Sequence, residues 1–303
     1  MDFLDKGKTE RLAAKEIINL AKKAGYVDLE EIIKAGKIKT GDKIYAVNKN
    51  KAVAMFHIGS EDLSEGLAIV GGHIDSPRLD LKPVPLTEEN GLAYLKTHYY
   101  GGVKKYNWTN MPLALHGVVF TKNGEKVDIS IGDKDNEPVF FISELLIHLS
   151  RQLMEKSAKE VITGEQLSII VGNRPLLDEK ENPVKKNILK ILNEKYGIEE
   201  EDFITAELEV VPAGKAREAG FDRSMTLAYG QDDRVCAYTS MQAMLDSDVT
   251  DRTMCCILVD KEEIGSVGAT GMQSHFFENA VAEVMNLAEE PGFYEKYLEN
   301  LEF

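Results

Sequence analysis

At 303 residues, 43% hydrophobic and with a net charge of −15, the chain is long enough for one large domain or two of ordinary size. That charge argues against nucleic acid or an anionic membrane as a main partner, since both reward Lys and Arg. No apolar run reaches the ~18 residues of a membrane-spanning helix, and the mixed-charge start Met1-Asp2-Phe3-Leu4-Asp5-Lys6 lacks the apolar stretch of a secretory signal.

The first predicted helix covers 9–23. Thr9 is its cap, Leu12, Ile17, Ile18, Leu20 and Ala21 lie on or near one face, and Gly25 ends it. A short helix over 28–35 follows. Segments 44–47 and 52–56 read as two strands joined by the Asn48-Lys49-Asn50 turn. Another buried strand, 67–70, runs into Gly71-Gly72-His73-Ile74-Asp75-Ser76-Pro77. The character changes after Pro83-Val84-Pro85. Residues 83–219 are rich in strands, with a hairpin of 113–120 and 127–131 about Asn123-Gly124. Helices are predicted there over 143–155 and 184–196, the second stopped by Gly197, and 206–212 alternates like a strand. Beyond Gly220 the α/β character returns. Asp232-Asp233-Arg234 open an apolar helix over 235–245, Cys255-Cys256-Ile257-Leu258-Val259 reads as a buried strand, and a helix over 276–285 follows a glycine-rich turn. The simplest organisation is an α/β domain made of 1–82 and 220–303, interrupted by a β-rich insertion of 83–219. The three cysteines, Cys236, Cys255 and Cys256, form no Cys-x-x-Cys pair, so they offer no disulfide framework and a cytoplasmic setting is expected.

Three short stretches could carry chemistry. Asp260-Lys261-Glu262-Glu263 follows the Cys255 strand, and open α/β sheets place their sites at the C-terminal ends of strands. One of the adjacent acids could hold a metal and the other move a proton; a solvated loop pair reads as well. His73 and Asp75 also follow a strand, and an Asp beside a metal-binding His can fix its tautomer. The plainer reading is a satisfied histidine with a surface aspartate. Asp232 and Asp233 can equally be a helix cap. Taken as a set, His73, Asp232 and Glu263 each stand at the edge of an apolar element of the split domain, and they supply the nitrogen and oxygen donors that suit Zn²⁺. Glu262, beside Glu263, would remain free as a general base.

These segments carry a resemblance. Gly71 to Pro77, Gly230-Gln231-Asp232-Asp233-Arg234 and Asp260-Lys261-Glu262-Glu263-Ile264-Gly265-Ser266 are similar, in order and spacing, to the aspartyl aminopeptidase family of dinuclear zinc exopeptidases. Tyr99-Tyr100-Gly101-Gly102, Trp108 and Leu146-Ile147-His148-Leu149 resemble that family's insertion. The resemblance implies a three-layer α/β/α zinc-exopeptidase domain, interrupted by a β-rich dimerisation domain. It also implies two zinc ions per complete site, peptide substrates with N-terminal, possibly acidic, residues, and a homo-oligomer formed through the insertion. His73 would bind one zinc, Asp232 bridge both, and Glu263 bind the second. Asp233 rivals Asp232 as the bridge. Glu262 would take a proton from water and return it to the leaving amine, and Asp75 would buttress His73. His148 would reach a neighbouring subunit's site; its plain reading is a helix-surface or interface histidine. His57, His98, His116 and His275 receive no role.

The chain departs from the family at its end. Members continue past the helix at 276–285 and gain another aspartate ligand and a terminal histidine ligand, neither matched here. Residues from 289 on read as a charged, weakly amphipathic tail without the resemblance. A fragment of an active enzyme is therefore expected, with an inactive assembly subunit as the alternative.

Overall fold

A computed structural model describes residues 1–288; the predicted charged tail lies outside them. The chain forms two compact units, Met1–Ser76 with Gly230 onward, and Pro77–Tyr229. The second unit is wider than 83–219 on both sides, for local reasons. Strand Arg78–Glu89 runs straight through Pro83-Val84-Pro85, which sit where the register against its partner shifts between Leu81 and Leu86. Proline lacks the N–H that a regular ladder needs, and a bulge removes that need. At the other end, Arg217–Ala219 and Met225–Leu227 pair as a hairpin of the same unit.

The first unit is built on a five-stranded sheet. Its order is Val27–Asp28, Lys43–Asn48, Ala52–His57, Met254–Val259 and Ala68–His73. The Met254–Val259 strand is the fourth of the five. It runs antiparallel to Ala52–His57 and parallel to Ala68–His73, with Val259 opposite His73. Side chains alternate between the two faces, as the pleat requires. Val53, Met55, Cys256 and Leu258 pack with Ala13, Ile17, Ala237 and Met241 from helices Glu10–Lys23 and Gln231–Asp246. Ala54, Phe56, Cys255 and Ile257 pack on the opposite side with Ala280, Val284 and Leu287 from helix Phe276–Leu287. Helices on both faces make three layers, α/β/α, the fold class read from the sequence. Both strand cysteines are fully buried, and burial pushes the Cys256 thiol up to about 12. The first long helix begins where its cap predicts: Thr9 Oγ1 accepts the Leu12 amide at 3.2 Å.

The second unit carries a six-stranded antiparallel sheet. Its strands Leu113–Phe120 and Lys126–Ile131 form the predicted hairpin. Arg78–Glu89 and Leu92–Tyr100 form a second hairpin through Asn90-Gly91, both with positive φ. Helix Pro183–Tyr196 packs Val184, Ile188 and Leu192 on the core of this unit. The helix predicted over 143–155 is absent. In its place are a single 3-10 turn, Ile147–Leu149, and a four-residue helix, Arg151–Met154. Leu145, Leu146 and Leu149 would share one helical face, but that face finds nothing to bury against: they and Ile147 are all exposed. Among the described residues no helix is long and apolar enough to cross a membrane.

Candidate metal centre

Two neighbouring parallel strands end side by side, and their ends deliver the candidate residues. His73 is the last residue of Ala68–His73, and Asp260 to Glu263 follow Met254–Val259 directly. The two glycines before His73 allow this crowding. A Cβ at Gly71 would stand 2.3 Å from the Ile257 carbonyl oxygen, and one at Gly72 would stand 2.7 Å from Asp233 Oδ2.

Asp75 organises the centre. It is fully buried, and its carboxylate accepts the amides of Glu262 at 3.3 Å and Glu263 at 3.2 Å. The same carboxylate lies 3.3 Å from His73 Nδ1, which is also 3.0 Å from the Asp75 carbonyl oxygen. With Nδ1 engaged, Nε2 faces the other acids: Asp232 Oδ1 at 3.3 Å and Glu262 Oε2 at 3.5 Å. Burial opposes a charge on this ring. The Asp75 carboxylate, by hydrogen bond and by charge, and then Glu262 outweigh it and raise the His73 pKa from 6.5 to about 9. Burial, followed by the charge of Asp75, raises the Glu263 carboxyl above the ordinary glutamate range.

Glu262 and Glu263 stand on a 3-10 turn, Glu262–Ile264, bracketed by left-handed Lys261 (φ 73°) and Gly265 (φ 88°). Donor atoms of His73, Glu262 and Glu263 all lie within 4.8 Å of one another. Asp232 reaches His73 from a different kind of support. It lies at the start of helix Gln231–Asp246, where Asp232 and Asp233 have non-helical backbone and the peptide between them is cis. Its carbonyl oxygen accepts Ser76 Oγ at 2.8 Å, while its side chain is 89% exposed. Asp233 turns elsewhere, against Gly72 and the Cys236 thiol, whose pKa its hydrogen bond raises.

The five site residues of the first unit, His73, Asp75, Asp232, Glu262 and Glu263, thus come together. His148 belongs to the second unit, on the exposed turn Ile147–Leu149. His275 is an exposed residue before helix Phe276–Leu287, with Nδ1 2.7 Å from Glu278 Oε2. Ser76 and Arg234 support the centre without having been singled out. Arg234 is buried at the start of its helix and donates through Nε to the Ile74 carbonyl at 3.1 Å. An arginine directly after two acids in an apolar helix is the signal that could have found it.

The donors fit a divalent metal. One imidazole nitrogen and several carboxylate oxygens suit zinc, and a carboxylate holding the far nitrogen of a ligand histidine fixes its tautomer and direction. An α/β/α sandwich that gathers such donors at the ends of adjacent parallel strands is the framework of a zinc-peptidase fold. The family profile for Aminopeptidase I zinc metalloproteases (M18) matches residues 3–300, and the chain belongs to that family. The match runs past 289, where the sequence reading places the end of the likeness.

A probable M18 family aminopeptidase 1 from Clostridium acetobutylicum is 56% identical over 288 residues, covering 94% of this chain and 62% of that protein. The crystal structure of an M18-family aminopeptidase from Thermotoga maritima superposes with a TM-score of 0.92 at 46% identity, over 97% of this chain and 64% of its own. That of aminopeptidase I from Clostridium acetobutylicum gives 0.88 at 53% identity, over 95% and 64%. The chain therefore spans 62% of the length of its curated relative.

Proposed function

We propose that the first unit carries the catalytic centre of a zinc-dependent aminopeptidase, which removes N-terminal residues from peptides with a preference for acidic ones. The gathering of His73, Glu262 and Glu263 donors within 4.8 Å, organised by buried Asp75, is the observation that carries this reading. The acidic preference rests on the family resemblance alone.

His73 and Asp232 would hold one zinc, and Asp232 with Glu263 the other. Asp232 is favoured over Asp233 because its carboxylate is the one that faces His73 Nε2. When bound, the metal supplies a Lewis acid for the scissile carbonyl and a nucleophilic water at neutral pH. The chain's own residues do the rest. Asp75 fixes the His73 ring and, through two amides, the turn that bears both glutamates. Glu262, with a side chain 54% exposed, is open to water and substrate. It takes the proton from the attacking water and hands it to the leaving amine. His148 is proposed to act at a partner subunit's site, in a homo-oligomer formed through the second unit. The apolar side chains of Leu145, Leu146, Ile147 and Leu149, which stand in solvent, support such a contact.

The test is zinc content together with amino-acid release. Purified chain should take up about two zinc ions and release the first residue from Asp-Ala-Pro more readily than from Ala-Ala-Pro, with a chelator abolishing release. Failure to bind any divalent metal sinks the proposal. Binding without release favours the alternative of an inactive assembly subunit. Equal or better release from Ala-Ala-Pro removes only the acidic preference. Light scattering tests the oligomer, and a monodisperse monomer would contradict it.

A further inference from the structure

Behind the glutamate pair lies a carboxylate that the proposed chemistry leaves unused. Asp260 follows the Met254–Val259 strand and is fully buried. Its Oδ1 accepts the Lys261 amide at 2.8 Å, and its Oδ2 accepts Thr270 Oγ1 at 2.6 Å. The Asp260 amide in turn donates to the Thr270 carbonyl at 3.3 Å. Thr270 is buried as well. These bonds close a loop from 260 to 270, and the glutamates stand inside it.

The loop is held in an unusual backbone state. Lys261 and Ser266 both have positive φ, 73° and 62°, without being glycine. Such residues are strained and persist only where the surroundings over-determine them. Here the surroundings are specific. The Ser266 amide donates to the Lys261 carbonyl at 2.7 Å, and a Cβ at Gly271 would stand 2.1 Å from the Ser266 carbonyl oxygen. A buried carboxylate is a costly way to fill space. Its use is directional: two oxygens reach a main-chain amide and a hydroxyl on opposite ends of the loop.

We propose that Asp260 and Thr270 form a positioning pair. They lock Lys261 in its left-handed conformation, and this aims the Glu262 and Glu263 amides at Asp75 and sets where their carboxylates stand. Neither residue touches substrate or metal. The proposal rests on the reading of Glu262 and Glu263 as base and ligand, but its geometric part stands apart from that reading.

Two measurements on the 303-residue chain separate the two. The first is hydrogen exchange without metal. In Thr270→Val, the Glu262 and Glu263 amides should exchange about tenfold faster, while those of Ala54 and Cys256 in the central strands stay as in wild type. Thr270→Ser should restore protection. The second is zinc affinity by chelator competition, with the visible spectrum of the Co²⁺-loaded chain as a geometric readout. Thr270→Val should weaken zinc about tenfold and shift the spectrum, and Thr270→Ser should recover both. Asp260→Asn, which keeps shape but loses one acceptor, should follow Thr270→Val. Unchanged exchange at Glu262 and Glu263 overturns the pair, as does a uniform rise in exchange across the sheet or failure of both variants to fold. A wild-type chain that binds no metal removes the metal reading, and the exchange result still decides the pair.

Discussion

Glu262 and Glu263 stand on a turn whose main chain is tied down from several sides, whereas Asp232 stands on a break in a helix with its side chain almost wholly in solvent. The turn is fixed before any ligand arrives, because its amides are spent on Asp75. The Asp232 arm is fixed through its backbone by Ser76 Oγ on its carbonyl, and its carboxylate rests against His73 Nε2 at 3.3 Å. Three donors can be preorganised by one buried aspartate, but a carboxylate proposed to serve two ions keeps freedom to swing. The contrast assigns direction to one side of the centre and adjustment to the other.

The sharpest probe of the fixed side is Glu262→Gln. It should retain zinc and lower kcat about 10²–10⁴-fold, the usual worth of a general base. Steady-state kinetics with metal analysis checks both halves, and a variant with near-normal kcat would move the base elsewhere. Asp75→Asn should come next. One change loosens both His73 and the glutamate turn, so zinc affinity should fall about 10–100-fold. An unaltered affinity would show that the tie is passive.

Proton competition should have a smaller and graded effect. His73 in the metal-free chain keeps its proton up to about pH 9, so zinc affinity should rise about tenfold per pH unit below that value and level above it. The same shift stabilises the metal-free fold. That contribution is full below the ordinary pKa of 6.5 and is lost as pH rises through about 9. Thermal melts of metal-free chain should therefore fall across that window from this group, and His73→Gln should remove the dependence. The smallest effect is expected on the adjustable side. Ser76→Ala removes one hydrogen bond worth about 1 kcal/mol, and zinc affinity should drop only a few-fold. A loss as large as that of Asp75→Asn would erase the distinction between the two sides.

Much of this centre was legible because its residues follow apolar strands, and strand ends in α/β sheets are where side chains meet. His73, Glu262 and Glu263 are readable in that way. The double role of Asp75 was not, since it depends on Val259 standing opposite His73, a register no single segment encodes. Ser76 acts through a main-chain carbonyl, which leaves no mark on composition. In the second unit, Pro83 and Pro85 misled because a proline at a bulge looks like a proline at a boundary. The Asn90-Gly91 hairpin carried the same signal as Asn123-Gly124 and shows how far that dipeptide can be trusted. The helix expected over 143–155 failed although Leu145, Leu146 and Leu149 keep a helical period, because their side chains stay exposed and a face that buries nothing does not hold a helix.

The order of the first sheet also bears on how the chain is made. Strands Ala52–His57 and Ala68–His73 are near neighbours in sequence, yet Met254–Val259 lies between them. The contact that completes the centre, Asp75 to Glu262, spans 187 residues. On a ribosome adding about 5–20 residues per second, the first two strands wait on the order of ten seconds or more for the one that joins them. During that interval their facing edges are open and rich in Val, Ile and Phe, a template for pairing with another nascent chain. Synthesis at high expression should therefore be more vulnerable to aggregation before Met254–Val259 emerges than after it, and a chaperone that shields 44–73 in that window should raise the yield of folded chain.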